Sequence, residues 1–136
     1  MKNEGPFILE WIAHNLAIGI DKFLIYSNDC TDGTDTLLDA LQSHGIVQHR
    51  QNPFREMKRT IHKAVYAACK KEKIYKDASW HLTIDVDEFI NIQVGDGKIS
   101  DLLEQVPDAN MISMTWRLFG NSNITEFTSK PKFQSA

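Results

Sequence analysis

Apolar residues recur along this chain with two periods, and the switching between them lays out its elements. From Pro6, a residue favoured in the first helical turn, Phe7, Ile8, Trp11, Ile12, Asn15 and Leu16 repeat at helical spacing, and Gly19 closes the run. Residues 22–26 form a short, mostly apolar strand, and 27–34 a polar loop. Residues 36–44 place Leu37, Leu38 and Leu41 on one face and stop at Gly45. A short strand over 46–49 precedes the Asn52-Pro53 break. From Phe54 to about Tyr75, Phe54, Met57, Ile61, Ala64, Val65 and Ala68 share one side of an amphipathic helix with a basic outer face. Residues 80–90 open with Trp80, Leu82 and Ile84 alternating against His81 and Thr83. This is the period of a half-buried strand, which expects Trp80 and Leu82 to be buried. A short helix over 100–106, capped by Ser100 and stopped near Pro107, leads to a last strand over 111–116. A polar, irregular tail runs from Gly120.

Helix and strand thus alternate, the pattern that builds parallel sheets with helices on both faces. One member of the alternation is missing: the helix at Pro6 should follow a strand, yet only five residues precede it. Either the sheet lacks its first strand or the sequence begins inside the domain, and the reading is a single, partial domain over 1–136. The gap or exposed edge invites pairing with another chain, and either a homodimer or a strand borrowed from elsewhere in the sequence is expected.

The chemistry concentrates at the end of the 80–90 stretch. Asp85, Asp87 and Glu88 crowd within four residues. On an extended backbone Asp85 and Asp87 share a face. Two neighbouring carboxylates raise each other's pKa unless a positive charge lies between them. A divalent cation with a preference for oxygen, completed by phosphate oxygens, suits that place, and a sheet end is where open α/β folds bind ligands. The same residues also suit an acidic, solvated turn.

Composition narrows the field. With 136 residues and 42% hydrophobic content the chain can bury a core. A net charge of −3 gives no expectation of nucleic acid or of an anionic membrane as partner. The charge is uneven, since eight of the fifteen Lys and Arg lie between Arg55 and Lys76. Cys30 and Cys69 have neither metal-ligand spacing nor a disulfide framework, which fits a reducing compartment. No apolar run approaches the length of a membrane span and none resembles a signal peptide, so a soluble, cytoplasmic domain is expected.

The loop 27–34, Ser-Asn-Asp-Cys-Thr-Asp-Gly-Thr, joins a strand to a helix N-terminus. Such a turn offers free N–H groups and a positive dipole end to an anion, although Asp, Thr and Gly also serve any tight turn of this kind. An EF-hand is excluded, because a loop begun at Asp29 puts Ala40 where its bidentate glutamate is required. Lys2-Asn3-Glu4 can bring Glu4 to the same sheet edge. Arg55, Lys58, Arg59, His62 and Lys63 can compensate a diphosphate or simply be solvated. Trp116, Arg117 and Phe119 suit stacking on a sugar or base, or an edge of the core.

In this order the blocks MKNEGPFILEWIAHN, YSNDCTDGTDTLL, WHLTIDVDEFI and MTWRLFGNS resemble the family 2-like glycosyltransferases of the GT-A fold. The likeness is greatest to the bacterial branch carrying K-N-E, N-D-C-T-D-G-T and D-V-D-E-F, related to the galactosyltransferase-like family 92. It covers nearly the whole chain. It implies a three-layer, Rossmann-like nucleotide-sugar-binding domain with a mostly parallel sheet, binding a nucleotide-diphosphate sugar and an acceptor that is a glycan, lipid or protein. By that likeness Glu4, Asn28, Asp29, Asp32, Asp85 and Arg59 surround the nucleotide sugar, and Asp85 and Asp87 ligate Mn²⁺ or Mg²⁺ bridging the diphosphate. Three departures stand out. Ser27 and Asn28 stand where the commoner family 2 loop has two acids, with Asp29 one place along. The first strand is lacking. The chain also stops at Ala136, before the acceptor-binding half that carries the catalytic base of inverting enzymes, so no residue is assigned that base.

Two other functions compete with sugar transfer. One is a non-catalytic GT-A module that binds nucleotide or a protein partner. The other takes Asp85 and Asp87 as a phosphatase-type nucleophile and acid, which would need a downstream lysine, here Lys130 or Lys132, and a further acidic pair that the tail lacks.

Overall fold

The structure is a computed structural model and describes residues 1–120. It is a mixed α/β arrangement around a small parallel sheet. Helix α1 covers Gly5–Ala17, with Pro6 in its first turn and Ile8, Trp11, Ile12 and Asn15 facing inward. It ends at Gly19, whose φ of 97° only glycine adopts without strain. There the Ile20 amide reaches back to Asn15 O (2.9 Å) and the Gly19 amide to Leu16 O (3.0 Å), a paired closure of the last turn. Strand β1 is Leu24–Ser27, helix α2 is Thr34–Ser43 and strand β2 is Gln48–Gln51. The α2 helix closes in the same manner at Gly45, with φ of 71°. The two strands run parallel, Ile25 beside His49 and Ser27 beside Gln51, so β1, α2 and β2 form one crossover unit. Ile8, Trp11, Ile12, Phe23, Ile25, Leu38, Leu41, Val47 and Val86 make a single core between α1, the sheet and α2.

On the side of β1 away from β2, the terminal ammonium of Met1 donates to Tyr26 O (2.6 Å) and the Asn28 amide donates to Met1 O (3.1 Å). Met1 thus continues the ladder by one residue at the edge where a further strand was expected.

Elsewhere three expected elements change. The helix expected from Phe54 to Tyr75 is divided. The Arg59 amide bonds Phe54 O (3.0 Å) and the Lys58 amide bonds Arg55 O (3.2 Å), closing a turn around Lys58, whose φ is 49°. A left-handed residue cannot continue a helix, so α3 begins only at Ile61 and ends at Cys69; a single further turn, α4, spans Lys73–Lys76. No strand forms over residues 80–90, and Trp80 and Leu82 are 41% and 40% exposed rather than buried. Residues 111–116 form no strand either. A strand exists only where a neighbouring ladder accepts it, and among the described residues the sheet consists of β1 and β2. The last helix, α5, is Ile99–Gln105. It is capped by Asp101, which accepts from the Asp96 and Lys98 amides (2.7 and 3.1 Å), and not by Ser100. The Ile99 amide binds Ile18 O (2.8 Å) and fixes α5 to the end of α1. The tail beyond Gly120, with Lys130 and Lys132, lies outside the described residues.

Candidate functional site

Several of the polar residues singled out above, Asn28, Asp29, Asp32 and the Asn3–Glu4 segment, gather where β1 ends. Leaving Ser27, the chain turns through Asp29 in the left-handed region (φ 51°) and is held by side chains from the segment that opens α1. Asn3 clasps Thr31 twice, accepting from its amide (2.8 Å) and donating Nδ2–H to its hydroxyl (3.2 Å). The Glu4 amide donates to Thr34 Oγ1 (2.9 Å). Asp32 joins the two helix starts, accepting from the Thr34 amide (2.9 Å) and from the Gly5 amide (3.2 Å). The hydrogen bonds from Thr34 hold the Asp32 carboxyl below its ordinary range. This aspartate therefore builds the loop.

Asp29 is engaged as well. Arg55 donates to its two carboxylate oxygens at 2.7 and 2.8 Å, a bidentate pair, and its guanidinium lies 4.6 Å from the centre of the Phe54 ring. The same bonds keep the Asp29 carboxyl low. Asn28 is buried, at 6% exposure.

The Asp-Val-Asp-Glu-Phe segment reaches this end through α1. The Trp11 indole N–H donates to Glu88 O (3.2 Å), His14 Nε2–H to Ile90 O (2.9 Å), and the His14 and Phe89 rings meet edge to face at 5.2 Å. Residues 85–88 form a tight turn. The Glu88 amide donates to Asp85 O (3.0 Å), and the Glu88 carboxylate accepts from the Asp85 amide (2.9 Å). Val86 enters the core while Asp85 and Asp87 are exposed. The two aspartates are thus placed by a turn, not by one face of a strand. Glu88 closes that turn instead of pointing to an opposite strand face.

Burial lowers the pKa of the Met1 ammonium, and the nearby charges of Cys30, Asp85, Glu4 and Asp35 act to raise it. The structure therefore brings together Glu4, the 28–34 loop and Asp85. Arg59 is elsewhere: its side chain lines an open groove of about 450 Å³ with Lys63, Tyr66, Ala67 and Lys70. Among the described residues no group of three His, Cys, Asp or Glu could by itself hold a metal ion. The donor set of Asp85 and Asp87 is two exposed hard-oxygen ligands. That fits a cation which takes one or two carboxylates and completes its shell with phosphate oxygens and water, and does not fit an all-protein cage.

The sequence reading missed three features: the Trp11 and His14 tethers, the Arg55–Asp29 pair, and a polar chain through the buried His49 described below. Only the second had a signal, an acid in the segment after one strand and a guanidinium in the segment after the strand parallel to it. The tethers reach across most of the chain and leave no local trace.

The family described as glycosyltransferase family 92 matches residues 3–135, and the chain belongs to that family. A glycosyltransferase family 92 protein of Oryza sativa subsp. japonica is 26% identical over 135 residues, covering 96% of this chain and 22% of that protein. One of Ricinus communis is 27% identical over 97 residues, covering 70% and 16%. One of Arabidopsis thaliana is 27% identical over 88 residues, covering 64% and 14%. The chain therefore spans about a fifth of the length of the relatives it matches. No solved structure matches. Among the described residues no helix is long and apolar enough to cross a membrane.

Proposed function

We propose that this chain is the donor-binding part of a glycosyltransferase that transfers a sugar from a nucleotide-diphosphate sugar to a glycan, lipid or protein acceptor. The observation that carries this reading is the 28–34 loop held by the Asn3–Gly5 segment at the carboxyl end of β1, with Asp85 close enough for its charge to act on the Met1 ammonium there, within a chain of family 92. The carboxyl edge of a parallel sheet is where α/β folds place ligands, and the β1–α2–β2 unit is compatible with the nucleotide-binding half of a Rossmann-like GT-A fold.

Asp85 and Asp87 would hold a Mn²⁺ or Mg²⁺ ion; when bound, that ion offsets the charge of the departing diphosphate. The chain's own residues do the rest. Exposed carboxylates on a tethered turn are pre-positioned and need little ordering. Val86 in the core and the Trp11 and His14 bonds keep them there. Glu4 and the loop carrying Asp29 stand on the nucleoside side. For a nucleotide to engage Asp29, Arg55 has to release it or carry its guanidinium to the phosphates, a good partner for either.

Calorimetric titration with UDP-, GDP-, dTDP- and CDP-sugars, with and without Mn²⁺, tests the proposal. At least one donor should bind, and metal and donor should strengthen each other by roughly 5- to 150-fold, the usual range of such reciprocal coupling. Asp87→Asn should remove most of that coupling, since the amide keeps the shape and loses the charge. Glu88→Gln should retain it, because the amide oxygen still accepts from the Asp85 N–H. Equal affinities with and without metal across the three proteins would refute the metal site, and no binding of any donor would refute the donor site.

A further inference from the structure

Beneath the loop runs a polar chain, buried at Ser27 and His49 and exposed at Asp39, that the transfer chemistry does not use. Ser27, the last residue of β1, is wholly buried, and His49 on β2 is 6% exposed. Ser27 Oγ lies 2.7 Å from His49 Nε2, and His49 Nδ1 lies 2.7 Å from Asp39 Oδ1 on α2. The order Asp, His, Ser is that of a hydrolase triad, but no substrate can reach a hydroxyl with no exposed surface, so Ser27 is not a nucleophile. Asp35 is the other charged group here: its Oδ1 lies 3.8 Å from Nε2, and the Ser27 hydroxyl beside it is the main cause that keeps its carboxyl below the ordinary range. Both ring nitrogens are thus committed. In the neutral ring Nδ1–H donates to the Asp39 carboxylate, which leaves Nε2 to accept from the Ser27 hydroxyl.

A buried imidazole with a buried hydroxyl is costly to keep in a core unless both are satisfied. An apolar pair would pack there without that requirement, so what the pair accomplishes must lie in direction. Its far end is Ser27, the residue immediately before Asn28 and the left-handed Asp29. We propose that His49, oriented by Asp39, is a positioning residue for the donor site: by fixing Ser27 it sets the angle at which the 28–34 loop leaves the sheet. The proposal rests on the donor-site reading of that loop. The competing role is a staple between α2 and β2, carried by the Asp39 contact alone.

Two substitutions separate these roles. An asparagine amide stands near the place of Nδ1 and a glutamine amide near that of Nε2. His49→Asn therefore keeps the Asp39 contact and loses Ser27, while His49→Gln keeps Ser27 and loses Asp39. The readout is hydrogen exchange at the Asn28, Thr31 and Thr34 amides, each of which is bonded in the loop. If His49 positions the loop, exchange there should accelerate by roughly five- to tenfold in His49→Asn, the effect of losing one buried hydrogen bond. It should stay near wild type in His49→Gln. Ser27→Ala, which leaves the His–Asp contact whole, should loosen the loop at least as much as His49→Asn does. Because it also removes the hydroxyl beside Asp35, it is compared with Asp35→Asn, which keeps the Ser27–His49 contact and should leave the loop near wild type. That comparison decides the matter if His49→Asn does not fold. Loosening in His49→Gln but not in His49→Asn and Ser27→Ala, or equal exchange in all, overturns the proposal. UDP affinity in the presence of Mn²⁺ is measured on the same proteins and should weaken in His49→Asn and Ser27→Ala but not in His49→Gln. Failure of the wild type to bind any nucleotide would refute the donor site, while the exchange comparison still decides whether His49 holds the loop.

Discussion

Single carboxylates at the end of β1 do different work according to what they touch. Asp32 is bonded by the Thr34 and Gly5 amides, and Asp29 by Arg55, so both are held below the ordinary value of 3.8 in the folded chain. A carboxyl lowered by folding adds stability above its unfolded pKa, and that part is lost as pH falls through the folded value. Thermal stability should therefore be flat near neutrality and decline as pH drops below about 3.8. Asp32→Asn keeps an acceptor oxygen and loses the charge. Its melting temperature should lie below wild type at pH 7, and the gap should narrow as pH falls below about 3.8 and through the lowered folded value. A gap of constant size would mean that Asp32 acts through shape and not through charge. Sequence pattern showed that acids would cluster here, because Asp-Cys-Thr-Asp-Gly-Thr is turn chemistry that any chain reads locally. It could not show that Asp32 would be consumed by two helix starts, because Gly5 lies in a different stretch of sequence.

Among the elements, α1 organises the site more than any strand does. It buries Ile8, Trp11 and Ile12, opens on the segment that clasps the 28–34 loop, and holds the acidic turn by two side-chain bonds. Trp11→Phe should separate packing from tethering. The ring still fills the core edge beside Phe23, which Trp11 meets at 5.8 Å, but Glu88 O loses its donor. A lost bond of this kind costs about 1–3 kcal/mol where the orphaned group stays buried. Urea unfolding should show that loss, and amide exchange at Glu88 should accelerate more than at Ile25. An exposed control such as Leu9→Gln should change stability by no more than about 0.5 kcal/mol. The same contrast explains which elements were legible beforehand. The glycine stops at Gly19 and Gly45, the β1–α2–β2 unit and the polar loop depend on local chemistry, and they were read correctly to within a few residues. Residues 80–90 alternate like a strand, yet whether alternation becomes a strand depends on a neighbouring ladder. Here the backbone is bonded by Trp11, His14 and its own turn instead. The break at Lys58 was equally hidden, since no glycine marks its left-handed backbone.

At the scale of the whole molecule, the distribution of apolar surface sets how the chain behaves in solution. The expected exposed sheet edge is partly occupied, because Met1 bonds Tyr26 and Asn28 there. The outer strand β2 reads Gln-His-Arg-Gln and carries Arg50, paired with Glu72 at 3.2 Å, and charged, short edges resist strand addition. The stronger drive to associate lies elsewhere. Met111, Trp116, Leu118 and Phe119 are 82%, 74%, 76% and 82% exposed within one nine-residue stretch, a concentration of apolar surface that soluble monomers seldom leave uncovered. Burying one large apolar side chain contributes about 1.5–3 kcal/mol. Four in one patch can therefore offset much of the roughly 4–15 kcal/mol that association costs in lost freedom. The chain should accordingly self-associate through this stretch. Sedimentation velocity over a range of micromolar concentrations should show an average mass rising above the 15.5 kDa of the single chain. The double substitution Trp116→Lys with Phe119→Lys should return the mass to that value without changing thermal stability, since neither residue is in the core. Arg50→Ala tests the other route, because it uncovers the β2 edge and leaves the apolar stretch intact. If Arg50→Ala raises the mass while the lysine pair does not lower it, association runs through the sheet edge and the apolar stretch is not its site; a wild type that stays at 15.5 kDa throughout removes both.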